Sequence, residues 1–149
     1  FEASGQLLPI FWYNRDDSIY AAGDSAAASL DKTGGLVWEK EFGRVAGASP
    51  TGNACLAAAV EDGGGAQLKV FDKAGKELSS CSLQGRPEGL SAIKGAIAVN
   101  TYDTVYFYNE KCKSTGKYSA ASRVRQVCFL TGRQAVIICD GSIAVVNIV

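Results

Sequence analysis

The chain has 149 residues, of which 15 are basic and 15 acidic, so its formal net charge is zero. This balance argues against a nucleic-acid-binding protein, which needs a clustered basic surface. Histidine is absent, which removes the commonest general base and the commonest metal ligand. We therefore expect no metal site. No apolar run approaches the ~20 residues that cross a bilayer, so we also expect no membrane insertion by this segment.

Short apolar and β-branched runs, separated by turn residues, follow one another along the chain and predict antiparallel strands. In chain order, the predicted strands lie at 7–13, 18–23, 26–30, 36–42, 45–49, 54–61, 66–71, 77–83, 89–93, 96–100, 104–108, 117–121, 124–130, 135–139 and 142–149. The alanine runs at 26–28 and 57–59 are assigned to strands although alanine favours helices. They occupy strand positions of a repeat, where a strand buried on both faces takes small residues.

Three markers recur along these strands and define the repeat. The first is an apolar residue followed by Asp or Asn, and the second residues of the four pairs are 41, 37 and 38 positions apart: Leu30-Asp31, Phe71-Asp72, Tyr108-Asn109 and Val146-Asn147. The second is an acidic series: Asp24, Asp62, Asp103 and Asp140. The third precedes each of these by 17 or 18 residues: Gln6, Arg44, Arg86 and Arg123. A repeat of this length without helices is typical of propeller blades.

We therefore predict an all-β protein, a β-propeller of about four four-stranded antiparallel blades. Residues 1–149 form a single propeller domain or half-propeller, with repeats at about 5–43, 44–85, 86–122 and 123–149. Residues 1–4 align with the tail of an outer strand and are predicted to complete the last blade.

Residues 29–38, SLDKTGGLVW, resemble the strand–turn–strand signature of PQQ-like and WD40-like propeller repeats. In that signature an Asp opens the turn, a Gly closes it and a Trp begins the packing of the outer strand. The second copy keeps Asp72 and Gly75 but has Ser79 at the Trp position, and the third copy has lost the Gly as well. The stretch 124–149 is similar to the end of an uncharacterised Firmicutes propeller family.

This resemblance implies an extracytoplasmic or cell-surface propeller, held by a membrane anchor outside this segment. It carries over no quinone-binding residue, and we expect no cofactor. Propellers of these families normally have seven or eight blades. Four blades either close as a rare small ring or form part of a larger one, completed by another chain or by further sequence, and we favour the larger ring. A second copy of the chain or a protein partner is the expected companion.

The arginine series is predicted to lie in loops between blades and the aspartate series in turns between second and third strands, all on one face. One interpretation is a charged ring that binds an anionic or polar ligand. Its candidate binding residues are Arg44, Arg86, Arg123, Asp24, Asp62, Asp103 and Asp140. The other interpretation, which recurrence in every blade favours, is structural pairing of Arg with Asp.

Five cysteines without a CxxC pair predict buried free thiols, and the turn between Cys128 and Cys139 puts those two out of register for a disulfide. No residues form a recognisable catalytic constellation, so no catalytic residue is predicted. The sequence thus favours a non-enzymatic scaffold that binds a protein partner. The alternatives are a cofactor- or glycan-binding propeller enzyme, or a fragment that assembles into a larger ring.

Overall fold

A computed structural model describes residues 10–13, for which only the backbone is considered, and residues 18–148. These residues form four antiparallel sheets. The first contains β1 (Ile10–Tyr13), β2 (Ile19–Ala22), β3 (Ala26–Leu30) and β4 (Leu36–Glu41). The second contains β5 (Arg44–Thr51), β6 (Cys55–Asp62), β7 (Gly65–Phe71) and β8 (Glu77–Ser82). The third contains β9 (Gly89–Ile93), β10 (Ala96–Asn100), β11 (Thr104–Tyr108) and β12 (Ser114–Ser119). The fourth contains β13 (Val124–Thr131), β14 (Gln134–Cys139) and β15 (Ser142–Asn147).

The predicted fold is confirmed: the described residues are four successive blades of a β-propeller, each a meander in which neighbouring strands pair in chain order. The only helical segment among the described residues is the short 3-10 turn Gly52–Ala54. Strand β12 begins earlier than the predicted 117–121, because the turn before it closes at Lys113 and a register shift follows Phe107. The predicted closing segment 1–4 lies outside the described residues.

The alanine runs are strands, as predicted, because the second blade is packed on both faces. Ala57, Ala58 and Ala59 in β6 are all 0% exposed. Successive side chains of a strand point to opposite faces. Ala58 therefore joins the core cluster shared with the first blade, whereas Ala57 and Ala59 join the cluster shared with the third. Small side chains let neighbouring sheets approach closely from both sides.

Contacts between the blades run in series and involve the first strands of the second, third and fourth blades. Strand β5 packs against β2, β3 and β9, and β9 packs against β13. The described blades therefore form an arc with the first strands on its inner side. We define the upper face by the blade-to-blade links and the turns between second and third strands: 23–25, 42–43, 63–64, 83–88, 101–103, 120–123 and 140–141. The lower face carries the remaining turns: 31–35, 52–54, 72–76, 94–95, 109–113 and 132–133.

The Asp–Gly turn of the repeat has the predicted geometry on the lower face. The side-chain oxygens of Asp31, Asp72 and Asn109 each accept hydrogen bonds from backbone N–H groups two and four residues later, at 2.8–3.1 Å. Each turn then needs a residue in the left-handed region of φ. Gly34 (φ 83°) and Gly75 (φ 81°) supply it in the first two copies, and Cys112 (φ 55°) takes that position in the third.

The Trp position of the repeat controls how the outer parts of adjacent blades pack. Trp38 Nε1 donates to the Lys73 carbonyl of the second blade at 3.1 Å, and the indole lies against Gly75, where an added Cβ would be 2.7 Å from the ring. Ser79 is the equivalent residue of the second blade, and its Oγ donates to the corresponding carbonyl, that of Glu110, at 2.7 Å. Gly116 is the equivalent residue of the third. The interblade hydrogen bond thus survives the loss of the indole, but the packing volume does not.

Candidate functional site

The arginine series converges on one cavity of the upper face. This cavity has a volume of about 360 Å³. Its lining comes from the second, third and fourth blades: Arg44, Arg86, Glu88, Asn100, Arg123, Val124 and Arg125. The residues lie at or next to the upper ends of the inner strands β5, β9 and β13 and at the end of β10. The spacing of the repeat therefore places one arginine from each of these three blades at the same level, near the inner side of the arc.

Arg44 and Arg86 share one carboxylate. Arg44 Nη1 lies 3.1 Å from Glu61 Oε1 and donates to the Pro87 carbonyl at 3.0 Å. Arg86 Nε lies 3.5 Å from the same Glu61 oxygen, and its side chain is 75% exposed. A contact this long at an exposed position contributes little to stability. Most of the Arg86 guanidinium is therefore available to another acceptor.

Arg123 joins the third and fourth blades. Its Nη2 lies 3.2 Å from Glu88 Oε2, and its guanidinium carbon lies 5.5 Å from the ring centroid of Tyr102. The Arg123 Nε atom is buried and has no hydrogen-bond partner in the structure. A buried N–H group normally has an acceptor, so this atom is an unsatisfied donor of a cavity-lining side chain.

Arg125, two residues further along β13, makes the best-formed ion pair of the site. Its Nε and Nη2 donate to the two carboxylate oxygens of Asp140 at 2.6 and 3.1 Å. These hydrogen bonds raise the pKa of Arg125, and in turn they hold the pKa of Asp140 below its ordinary value. Both side chains are open to water, so the pair fixes the loop geometry more than it stabilises the fold.

Replacing Arg125 with alanine is expected to raise the pKa of Asp140 back toward its ordinary value, because its largest perturbing group is removed. A depressed carboxyl pKa stabilises the folded state above the unfolded pKa, and that contribution is lost as the pH falls through the folded pKa. Carboxyl titration by NMR measures the shift directly. Arg123→Ala is the matched control and should move the Asp140 pKa less, because Arg123 acts on it only through space. An unchanged Asp140 pKa in Arg125→Ala would contradict this assignment.

The structure brings the three predicted arginines together but does not place the four predicted aspartates around the same cavity. The predicted pairing of the two series is wrong for these arginines, whose ion-pair partners are Glu61 and Glu88. The aspartates make other contacts on the upper face, and Asp140 pairs with Arg125, which is not one of the predicted arginines. Asp62 Oδ1 accepts from Gly43 N at 2.9 Å, and Asp103 Oδ1 accepts from Thr104 Oγ1 at 3.0 Å. The Asp24 carbonyl accepts from Val45 N at 2.6 Å.

Four lining residues were not among the predicted ones: Glu88, Asn100, Val124 and Arg125. Arg125 lies two positions after Arg123, and residues two apart in a regular strand share a face. Arg123 precedes the predicted strand, however, and a register shift lies between Val124 and Gln126, so this spacing is only a weak signal. Glu88 and Asn100 gave no such signal, because neither belongs to a recurring series. Their roles depend on how the link 83–88 folds over the end of β10, where Glu88 N donates to the Asn100 carbonyl at 2.7 Å.

All five cysteines are free thiols, and Cys55, Cys112 and Cys139 are buried. Cys128 and Cys139 are not bonded to each other, in agreement with the sequence. Within residues 18–148 no group of three or more cysteine and acidic side chains is arranged to hold a metal ion. The described part of the chain contains no helix with the length and hydropathy that a bilayer crossing requires.

No protein-family model matches the sequence, and no curated protein matches it. Solved structures do match. The WD40 domain of Neurospora crassa Pan2 superposes with a TM-score of 0.72 at 14% identity, covering 93% of this chain and 48% of that one. BamB from Moraxella catarrhalis gives 0.74 at 14% identity, with coverages of 97% and 48%.

A third match is the inactive H270A virginiamycin B lyase of Staphylococcus aureus, solved with quinupristin, with a TM-score of 0.73 at 11% identity and coverages of 95% and 52%. These likenesses show the propeller fold. The chain spans about half the length of each of these structures. The resemblance of 124–149 to the membrane-anchored Firmicutes family remains a prediction.

Proposed function

We propose that this chain is a non-enzymatic propeller that binds a protein partner, and that the arginine-lined cavity of the upper face holds an acidic segment of that partner. The observation that carries this proposal is the convergence of Arg44, Arg86, Arg123 and Arg125 from three blades on one cavity. Arginine's planar fork of donors matches a carboxylate better than any other side chain does.

The charges of the cavity favour an acidic ligand. Its four arginines face three carboxylates, those of Glu61, Glu88 and Asp140, so one positive charge is in excess in this group. Arg86 is held by one long contact, and the Arg123 Nε atom has no acceptor. An incoming carboxylate would therefore find accessible donors on Arg86 without first breaking the well-formed Arg125–Asp140 pair.

The rim of the cavity has the composition of a protein-binding surface. Tyr102 is 59% exposed in the upper-face turn 101–103 and lies against the Arg123 guanidinium. Tyrosine and arginine are the residue types that contribute most to binding energy at protein interfaces. A peptide that places an acidic side chain in the cavity would also cover the Tyr102 ring.

The lining side chains are better suited to binding a ligand than to catalysing a reaction. Arginine and asparagine side chains are poor general acids and bases, and Glu88 is engaged by Arg123. These properties support the proposal that the chain binds a partner and is not an enzyme. Its proposed location is extracytoplasmic or at the cell surface, through an anchor outside this segment, on the basis of the resemblance carried by residues 124–149.

The arc of blades also supports the proposal that the chain is part of a larger ring. Its blades superpose on about half of each larger propeller, and a second copy of the chain would supply a comparable number. Light scattering of the purified chain tests this: a dimer fits two half-rings, and a stable monomer argues against that assembly.

Binding of a fluorescein-labelled decapeptide of glutamate, followed by anisotropy, tests the proposed function. We expect Arg86→Ala and Arg123→Ala each to weaken binding about tenfold, and added salt to weaken it further, because the attraction is between partly exposed charges. The matched control is Arg133→Ala, which removes an exposed arginine from the lower-face turn 132–133. It should bind as the unmodified chain does.

A glutamine decapeptide supplies the second control, since it keeps the length and the polar amides but removes the charge. Two results would overturn the proposal. One is equal binding of the glutamate and glutamine peptides. The other is a loss in Arg133→Ala as large as the loss in Arg123→Ala, which would indicate attraction to the overall surface and not to this cavity.

A further inference from the structure

The outer interface between the second and third blades differs in composition from the one before it. Where Trp38 packs on Gly75 between the first two blades, Ser79 packs on Cys112 between the second and third. A cavity of about 480 Å³ opens next to this smaller pair. Its lining includes two cysteines, Cys81 and Cys112, and two tyrosines, Tyr106 and Tyr108.

Cys112 occupies a backbone position that does not suit it. Its φ of 55° lies in the left-handed region, which L side chains rarely adopt and which glycine supplies in the two preceding repeats. Its side chain is nevertheless buried, with Sγ 3.3 Å from Ser79 Oγ and 3.9 Å from the Leu68 carbonyl oxygen. A residue retained in a strained conformation at an interface is a reason to look for a role of its side chain.

Cys81 is placed to meet this thiol. It lies two residues after Ser79 in β8 and therefore on the same face of the second blade. Its partner in β7 is Leu68, the residue whose carbonyl faces the Cys112 sulfur. A hydrogen bond between the two thiols affects the pKa of each. Both residues also belong to the apolar cluster that joins these blades.

We propose that Cys81 and Cys112 form a disulfide between the second and third blades under oxidising conditions. A small-molecule disulfide such as oxidised glutathione is the oxidant. One protein thiolate attacks it and releases one reduced glutathione; the second protein thiolate then attacks the mixed disulfide and releases the other. Two S–H bonds are lost, one S–S bond forms in the protein, and the two electrons reduce glutathione disulfide to two thiols.

The environment of the pair indicates a structural bond and not a catalytic one. Burial raises the pKa of Cys81 to about 11 and also raises the pKa of Cys112. Reactive cysteines of oxidoreductases have a lowered pKa, which stabilises their reduced form. Because their pKa values are raised, Cys81 and Cys112 carry little thiolate, and their disulfide should form slowly. Because their reduced form is not stabilised, the disulfide should resist reduction once it is made.

The full chain, incubated with oxidised glutathione and then alkylated under denaturing conditions, tests the pair. Before alkylation we expect an intact mass lower by about 2 Da, from the loss of two hydrogens. After alkylation the oxidised chain should carry two fewer alkyl groups than the reduced chain and yield one cross-linked peptide that contains Cys81 and Cys112. The thermal midpoint should rise by roughly 5–10 °C, because the bond closes a loop of the unfolded chain. Cys81→Ser and Cys112→Ser should each abolish both effects.

Cys55→Ser is the matched control, since Cys55 is a buried thiol of the second blade whose Sγ lies 3.8 Å from the Asn53 carbonyl oxygen. It should cross-link and gain stability as the unmodified chain does. The proposal is overturned if Cys81 and Cys112 remain open to alkylation, if they stay as mixed disulfides with glutathione, or if the cross-linked peptide joins Cys128 to Cys139.

Discussion

Replacing Trp38 with alanine is expected to lower the free energy of unfolding by about 3–5 kcal/mol, the usual cost of truncating a buried aromatic side chain. The indole is 8% exposed and lies 6.1 Å from the Tyr20 ring and 5.9 Å from the Phe71 ring, between centroids. Alanine leaves a void between the first two blades and leaves the Lys73 carbonyl without its donor. Urea denaturation followed by far-ultraviolet circular dichroism measures the loss.

Trp38→Phe is the matched control for that experiment. It keeps an aromatic ring in the cluster but removes the N–H group, so we expect a loss of about 1–2 kcal/mol, mostly the missing hydrogen bond. If Trp38→Ala costs less than Trp38→Phe, the indole does not join the blades in the way described.

Replacing Glu110 with alanine has the second largest expected effect, a loss of about 2–3 kcal/mol of stability from three hydrogen bonds to a charged acceptor. The Glu110 Oε1 atom accepts from Thr51 Oγ1 at 2.7 Å, Gly52 N at 2.8 Å and Gly95 N at 3.0 Å. Thr51 and Gly52 belong to the second blade, whereas Glu110 and Gly95 belong to the third. Glu110 thus ties two blades together on the lower face. Urea denaturation at neutral pH gives the comparison with the unmodified chain.

Glu110→Gln separates the charge from the hydrogen bonds, since its amide oxygen can accept from the same three donors. Burial acts to raise the pKa of Glu110, but the hydrogen bonds from Gly95, Thr51 and Gly52 outweigh it and hold the pKa below its ordinary value of 4.5. The stabilisation is therefore present above 4.5 and is lost as the pH falls through the folded pKa. The stability difference between the unmodified chain and Glu110→Gln should shrink over that fall; a constant difference would contradict the assignment.

Much of the architecture could be predicted because the repeat constrains it several times over. The alanine runs show this best: propensity alone favours a helix at 57–59, but the position in the repeat assigns a strand, and Ala58 is completely buried in β6. The turn chemistry was equally readable, since Asp31, Asp72 and Asn109 accept the expected backbone hydrogen bonds. The start of β12 was not, because a register shift after Phe107 leaves no mark in the sequence.

The site could be predicted only in part. The spacing of Arg44, Arg86 and Arg123 places them at equivalent points of successive blades, which is why they meet at one cavity. Their ion-pair partners could not be predicted from spacing. Glu61 immediately precedes Asp62 at the end of β6, and which of the two carboxylates an arginine meets depends on side-chain direction and reach. In the structure Glu61 forms the ion pairs with the arginines, whereas Asp62 accepts a hydrogen bond from the backbone N–H of Gly43.

The interblade positions illustrate a different limit. The sequence shows Ser79 in place of Trp and the loss of Gly from the third turn, but each change considered alone indicates only that the repeat has diverged. Only the structure shows that Ser79 and Cys112 contact each other at 3.3 Å, so that the two changes occur at a single interface. Contacts between residues 33 positions apart depend on how adjacent blades are set against each other.

Hydrogen–deuterium exchange of the full chain, with and without the glutamate decapeptide, tests the central claim most directly because it locates the binding site. If the arginine-lined cavity holds acidic segments, amide exchange should slow in the upper-face segments 83–88, 101–103 and 120–125, and the lower-face segments 109–113 and 132–133 should be unchanged. Protection confined to the lower face, or spread evenly over both faces, would contradict the assignment of the cavity as the binding site.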